Sequence, residues 1–398
     1  MFLDVLKRRN RPFLDAVTAL HQSGELPGNA YALDLDAVRA NAEATRREAD
    51  RHGLEVFAMT KQVGRAGGFL AALMEGGVDT AVAVDMACAG AVSDAGMTLG
   101  HLGHLVQVPQ AETAAAAGMQ PRYWTVFSDD KALEAAEASH AAGRVQNLLA
   151  RIHAPGDRFY SGHEGGFRAQ DIVEVASRLD SLDGARFAGI TTFPALLFDA
   201  ERGEVALTPN MATLQRAAER LREAGVSDIA INAPGTTSSS VFGLLADSGA
   251  TQVEPGHGLS GTTPLHRVKD LPELPAACYV TEVSHLHDGR AYAFGGGLYI
   301  DPVFPEYRLQ AIVAEEPGVD DARTLDATIP PPSAIDYYGQ LDYGDGSPPR
   351  TGATVIFGFR IQAFVTRAYV AGISGVASGA PKVAGLWRGD GSEASWPR

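Results

Sequence analysis

Val56-Phe57-Ala58-Met59-Thr60-Lys61 reads as a short buried strand that runs straight into a lysine. A continuous apolar run of this kind suits a strand covered on both faces, as in a parallel sheet. Outward from it, the chain between Glu55 and Glu254 alternates such runs with Ala/Glu/Arg-rich helical stretches. Strands are expected at Val56–Thr60, Asp79–Val84, His104–Val108, Tyr123–Phe127, Leu148–His153, Phe187–Phe193, Asp228–Asn232 and Thr251–Glu254. Helical patterns lie between them, for example at Asp130–Ala142, Ala169–Leu179 and Met211–Ala224. Gly143 and Gly225 stand where C-cap glycines belong, and Asp129 and Pro209 where helices start. About eight strand–helix units in about 200 residues predict an α/β fold, a (β/α)8 TIM barrel. An open doubly wound sheet is the other architecture this alternation permits.

After Pro255 the texture changes. Tyr279–His287 and Arg290–Phe294 flank Asp288-Gly289, a hairpin turn pair. Tyr307–Val313, Ile335–Leu341 and Thr354–Ser374 are strand-like, while Pro317–Pro332 and Asp345–Arg350 read as loops. The expectation is a mostly-β C-terminal domain. Before the barrel, Ala30–Leu35 reads as one more strand, expected to pair with that domain, and Asp36–His52 as a helix. The expected division is therefore 1–35 as a segment lending a strand to the β domain, 36–265 as the barrel, and 266–398 as the β domain.

The 398 residues carry 33 basic and 48 acidic side chains, a net charge of −15. An acidic surface argues against nucleic acid and against anionic membranes, which select clustered Lys and Arg. No apolar stretch approaches the roughly 20 residues of a membrane helix. The start, MFLDVLKRRNRPFLDA, scatters charges through its apolar stretch and lacks a signal-peptide core. Two cysteines, Cys88 and Cys278, cannot build a disulfide framework, so a reducing compartment, the cytoplasm, is expected.

Barrels place their chemistry at the C-terminal ends of their strands. Lys61 closes the first strand and suits an amine nucleophile for a carbonyl. The seventh ends in Asn232-Ala233-Pro234-Gly235-Thr236-Thr237-Ser238-Ser239-Ser240, a hydroxyl-rich anion loop. The eighth ends in Glu254-Pro255-Gly256-His257-Gly258, whose glycines let backbone N–H groups approach a phosphate. Phosphate at the last two loops and a lysine at the first point to pyridoxal 5'-phosphate held as a Schiff base. Glu254 would then meet the pyridine nitrogen and keep it protonated.

At these residues the chain resembles the fold-type III pyridoxal-phosphate enzymes, which include alanine racemases, ornithine and diaminopimelate decarboxylases, and D-threonine aldolases. Tyr160–Gly166 (YSGHEGG), Glu254–Pro264 (EPGHGLSGTTP) and Ile335–Leu341 (IDYYGQL) look most like the alanine-racemase-like YhfX-type branch. The resemblance runs from Ala30 to about Gly375. It implies that Lys61 carries the cofactor and acts as a base on one face of the substrate Cα. It implies that Gly235, Thr236, Gly256 and His257 hold the phosphate, with Asn232 among the cofactor-binding residues. It further implies that Arg151, His153 or His163 lies near the ring. A head-to-tail homodimer is implied as well, in which each β domain completes the partner's active site.

The chain also departs from its relatives. Glu254 stands where alanine racemases usually present an arginine, which favours stronger electron withdrawal. The turn that carries the racemases' catalytic tyrosine corresponds to Ala293-Phe294-Gly295-Gly296-Gly297, and Phe294 cannot exchange a proton. The decarboxylases' cysteine turn corresponds to Asp336-Tyr337-Tyr338-Gly339-Gln340, which has no cysteine. Tyr338 is the expected second acid/base, with Tyr337 or Tyr292 as substitutes. Tyr337, with Arg360 and Gln362 on one face of an expected strand Phe359–Phe364, would touch the substrate. His285, His287 and Asp288 have ligand-like spacing but sit at a hairpin tip where solvated polar residues are ordinary, so no metal is assigned. The resulting expectation is a racemase or epimerase of a free amino acid. A decarboxylase or a D-threonine-aldolase-like lyase is the alternative. The β domain argues against a non-catalytic pyridoxal-phosphate-binding protein.

Overall fold

The computed structural model describes residues 2–301 and 308–396. Part of the strand expected at Tyr307–Val313 lies outside the described residues. Two compact units emerge, one of residues 44–60 and 77–256, the other of residues 1–43, 61–76 and 257–398.

The first unit is the parallel barrel. Its first strand is interrupted at Phe57: Glu55–Val56 pairs with the eighth strand, Gln252–Val253, and Ala58–Met59 pairs with the second, Thr80–Ala83. The ring continues through Thr98–Leu102, Tyr123–Val126, Gln146–His153, Ala185–Thr191 and Ala230–Asn232 back to the eighth strand. The third strand corrects the sequence reading. His104–Val108 is not a strand, because Gly103 turns the chain out of the sheet at φ 78°. The Gln107 side chain then ties this loop to the Gly103 and Thr125 carbonyls and to the Phe127 N–H. The strand itself is Thr98-Leu99-Gly100-His101-Leu102, whose polar content hid it. Gly100 is required there, since a Cβ would lie 2.4 Å from the Phe57 ring.

The second unit is built from both ends of the chain. Arg290–Phe294, Tyr338–Asp342, Arg323–Thr328, Gln310–Ala314, Thr354–Phe357 and the long strand Ala277–His287 close into an antiparallel ring. Ala30–Asp34 extends it, antiparallel to Ala277–His287 and parallel to Tyr369–Ser374, which in turn pairs with Lys382–Trp387. Arg323–Thr328 is a strand inside the expected loop Pro317–Pro332, and Lys382–Trp387 is a further strand beyond those expected. Phe359–Gln362 is irregular rather than a strand. Two N-terminal helices, Phe2–Arg9 and Arg11–Gln22, were also unread. They bury Leu3, Leu6, Phe13, Leu14, Val17 and Leu20 against Ala30, Val280, Ile312, Ile356 and Ile373. No helix among the described residues is long and apolar enough to cross a membrane.

Candidate active site

Four barrel strands converge on one carboxylate. Glu254 follows the eighth strand and is fully buried. Its Oε1 accepts from Asn232 Nδ2 at 2.9 Å, at the end of the seventh strand. His101, in the third strand, meets the same oxygen through Nδ1 at 2.5 Å, and its Nε2 lies 2.5 Å from Thr125 Oγ1 in the fourth. His104 Nε2 stands 3.3 Å from Glu254 Oε2. Asn232 is itself oriented, its Oδ1 accepting from Thr191 Oγ1 at 2.7 Å. Burial alone would push the carboxyl up, but His104, His101 and the Asn232 amide outweigh it and hold Glu254 below the usual carboxylate range. The group is therefore a carboxylate in the fold.

His101, His104 and Glu254 bring three ligand-type atoms within 4.8 Å of one another. Two atoms bound tetrahedrally to one zinc would stand about 3.3 Å apart. The 2.5 Å contact between His101 Nδ1 and Glu254 Oε1 is shorter than that spacing and is a hydrogen bond.

Around this carboxylate the same unit supplies a cation and an aromatic wall. Arg151, on the fifth strand, is 1% exposed. Its Nη2 donates to the His163 carbonyl at 2.6 Å and its guanidinium lies 4.7 Å from the Phe127 ring centre. Burial pulls it down to about 10, still cationic at neutral pH. Its Nε is buried without a hydrogen bond among the described residues. Tyr160, His163 and Phe193 pack ring to ring at 5.7 to 5.9 Å, with His104 edge-on to Phe193. His153, at the end of the fifth strand, packs instead on Phe159. The loop after the seventh strand buries Thr237, Ser238 and Ser239. Gly235 bridges to Leu196, whose carbonyl takes the Thr236 N–H.

The second unit holds the remaining expected residues. Lys61 follows the first barrel strand directly and opens a short 3₁₀ turn, its Nζ 5.4 Å from the Phe364 ring centre. His257, two residues beyond Pro255, donates from Nε2 to the Ile361 carbonyl at 2.7 Å. Burial, and then the charges of Arg360 and Lys61, hold His257 well below the usual histidine range, so it is neutral. Arg360 Nη1 and Gln362 Nε2 both donate to Asp301 Oδ2, at 2.5 and 2.9 Å. They share a partner, as expected of a pair on one face, although no strand aligns them. Tyr338 is 38% exposed and sits edge-on to His285, while Tyr337 is 64% exposed beside Arg367. His285 stacks on Tyr292 at 4.7 Å.

Sequence reasoning missed His101, His104 and Thr125. His101 and Glu254 are 153 positions apart, and His101 lies in the strand that was not recognised. The local cue was a polar residue flanked by Gly100 and Leu102. The arrangement fits the cofactor expected from the sequence. A carboxylate held ionised, with Oε2 making no hydrogen bond among the described residues, suits a ring nitrogen that must stay protonated. A buried cation and a hydroxyl-rich loop suit its anionic groups.

Comparison with known proteins agrees with this fold. Residues 33–264 match the family model of the alanine racemase N-terminal domain, and residues 278–383 that of the YhfX-like C-terminal domain. An uncharacterized protein, YhfX of Escherichia coli K12, is 35% identical over 387 residues, covering 97% of this chain and 98% of that protein. D-threonine aldolase from Filomicrobium marinum superposes with a TM-score of 0.66 at 19% identity, over 91% of this chain and 95% of that one. D-threo-3-hydroxyaspartate dehydratase from Delftia sp. HT23 gives 0.64 at 16%, over 90% and 97%. Alanine racemase of Clostridium difficile 630 gives 0.62 at 15%, over 90% and 98%.

Proposed function

Since this chain belongs to the alanine-racemase-like family of fold-type III pyridoxal-phosphate enzymes, in the branch with a YhfX-like C-terminal domain, we propose that it is a pyridoxal-phosphate-dependent racemase or epimerase of a free amino acid. The observation that carries the reading is the ionised, buried Glu254 at the end of the eighth barrel strand. The cofactor, when bound, supplies an electron sink for the pair released at the substrate Cα. Lys61 would hold it through Nζ, and Glu254 would keep its ring nitrogen protonated. Asn232 orients Glu254, and Gly235, Thr236, Gly256 and His257 would bind the phosphate. Arg151, with its buried cation, would face an oxyanion on the ring, and His163 in the aromatic wall would pack against it. Lys61 Nζ takes or returns the Cα proton on one face. Tyr338 of the partner subunit, a residue 38% exposed in the single chain, would do so on the other, in a head-to-tail homodimer. Arg360 and Gln362 would act on the substrate as a pair already held by Asp301. The two cysteines are free and buried, as a cytoplasmic protein allows.

The test begins with added pyridoxal phosphate. The protein should acquire the visible absorbance of a cofactor joined to a lysine, and Lys61→Ala should abolish it. Both enantiomers of common amino acids are then incubated in deuterium oxide. Deuterium should enter Cα from either enantiomer, with racemate forming. Exchange from one enantiomer alone would end the two-base reading. Release of carbon dioxide would establish decarboxylation, which the same carboxylate would support, and release of aldehyde would establish retro-aldol cleavage.

A further inference from the structure

The proposed function gives Glu254 its role but leaves unexplained why two other barrel strands supply polar groups to a fully buried carboxylate and a third supports one of them. We propose that Thr125, His101 and Glu254 form a hydrogen-bonded chain in which His101 is a positioning residue, fixing the orientation and charge of the carboxylate that faces the cofactor ring.

The donor logic runs in one direction. An ionised carboxylate accepts only, so His101 Nδ1 carries the proton in the 2.5 Å contact with Oε1. Within the proposal the imidazole is neutral, so Nε2 accepts and Thr125 Oγ1, 2.5 Å away, is the hydroxyl that donates. Thr125 thereby selects the tautomer of His101, and His101 presents its N–H to Glu254. A histidine held by a partner on one nitrogen acts through the other. His101 and Thr125 are fully buried, so water does not compete for these bonds. Asn232 and His104 also face the carboxylate. Asn232 Nδ2 shares Oε1, and His104 lies 3.3 Å from Oε2, its own carbonyl 3.5 Å from Arg151 Nη1. Oε1 is thus saturated by Asn232 and His101, and Oε2 is the oxygen left to meet a ligand. The inference rests on the proposed role of Glu254, but the chain itself belongs to the protein without cofactor.

Two readouts separate the two claims. In cofactor-free protein with ¹⁵N-labelled histidine, His101, assigned by its loss in His101→Asn, should show the Nδ1–H tautomer across neutral pH. Thr125→Val should weaken that preference. The Nε2–H tautomer or a doubly protonated ring in the wild type would overturn the chain, whatever the cofactor does. With pyridoxal phosphate added, His101→Leu should weaken binding about 10-fold or more and make the visible band of the bound cofactor pH-dependent. His101→Asn, which keeps a donor near the Nδ1 position, should stay within about threefold of the wild type. Equal behaviour of the Leu and Asn variants would overturn the positioning role. If His101→Leu fails to fold, Thr125→Val carries the same test, expected to move the band's pH profile in the same direction, and an unchanged profile overturns it. If the wild type binds no cofactor, the proposed function falls, and the tautomer still decides the chain.

Discussion

Gly166 lies at φ 114°, and a Cβ there would sit 2.5 Å from the Arg151 carbonyl oxygen. No L side chain adopts that backbone without strain. The glycine lets the loop after the fifth strand fold back close enough for His163 to accept from Arg151. Gly166→Ala should therefore cost about 1–3 kcal/mol, measured by urea unfolding, and should also loosen the Arg151 contact. At this scale the sequence was informative where a residue announces its own chemistry. Lys61 at a strand end and Glu254 before Pro255-Gly256 are of this kind. His101 and Thr125 are not, because a histidine or threonine inside an apolar strand acquires meaning only from what it faces.

The N-terminal helices were legible in hindsight. Phe13, Leu14, Val17 and Leu20 recur at helical spacing, with Pro12 in the first turn. Their role was not legible, because it depends on a strand from the far end of the chain. Phe13 is buried against that core, so Phe13→Ala should destabilise the protein by about 3–5 kcal/mol. Leu286→Ala, at an exposed site, should fall within about 0.5 kcal/mol of the wild type in the same denaturation measurement. The strand Arg323–Thr328 escaped notice for a related reason. Its half-exposed polar residues are satisfied across strands, as Asp326 is by Arg308 and Gln310. A strand stabilised by such pairs shows little apolar alternation.

At the scale of the whole molecule, burial lowers three histidines among the described residues, and the three share one unit. His21, His257 and His266 belong to the unit built from both chain ends, and burial lowers all three. His21 falls to about 4 and His266 to about 3. In the unfolded chain each would take up a proton near pH 6.5. Their neutral state therefore contributes full stability above that pH and loses it as pH falls toward the folded values. The slope is about 1.4 kcal/mol per pH unit for each histidine. Glu254, lowered in the fold, keeps its contribution through this window and loses it only below the usual carboxylate range. Urea unfolding at pH 7 and pH 5 should show the unit containing Trp387 losing more stability than the barrel unit containing Trp124. His266→Gln should flatten the loss. Equal losses at both tryptophans would contradict the assignment.

The sequence alone determined the parallel barrel, the β-rich C-terminal unit with its borrowed N-terminal strand, and a lysine and a glutamate on the first and last barrel strands. Each of these is written in local periodicity or in a short run of neighbouring residues. Tertiary structure alone decided which polar side chains hold Glu254 and why Arg360 and Gln362 meet one aspartate. It also decided what the N-terminal helices cover. Those facts depend on contacts between residues distant in the chain. A buried charge or hydroxyl is stable only when its partners are in place, and closure of the sheet is what brings His101, Thr125, Asn232 and Glu254 together.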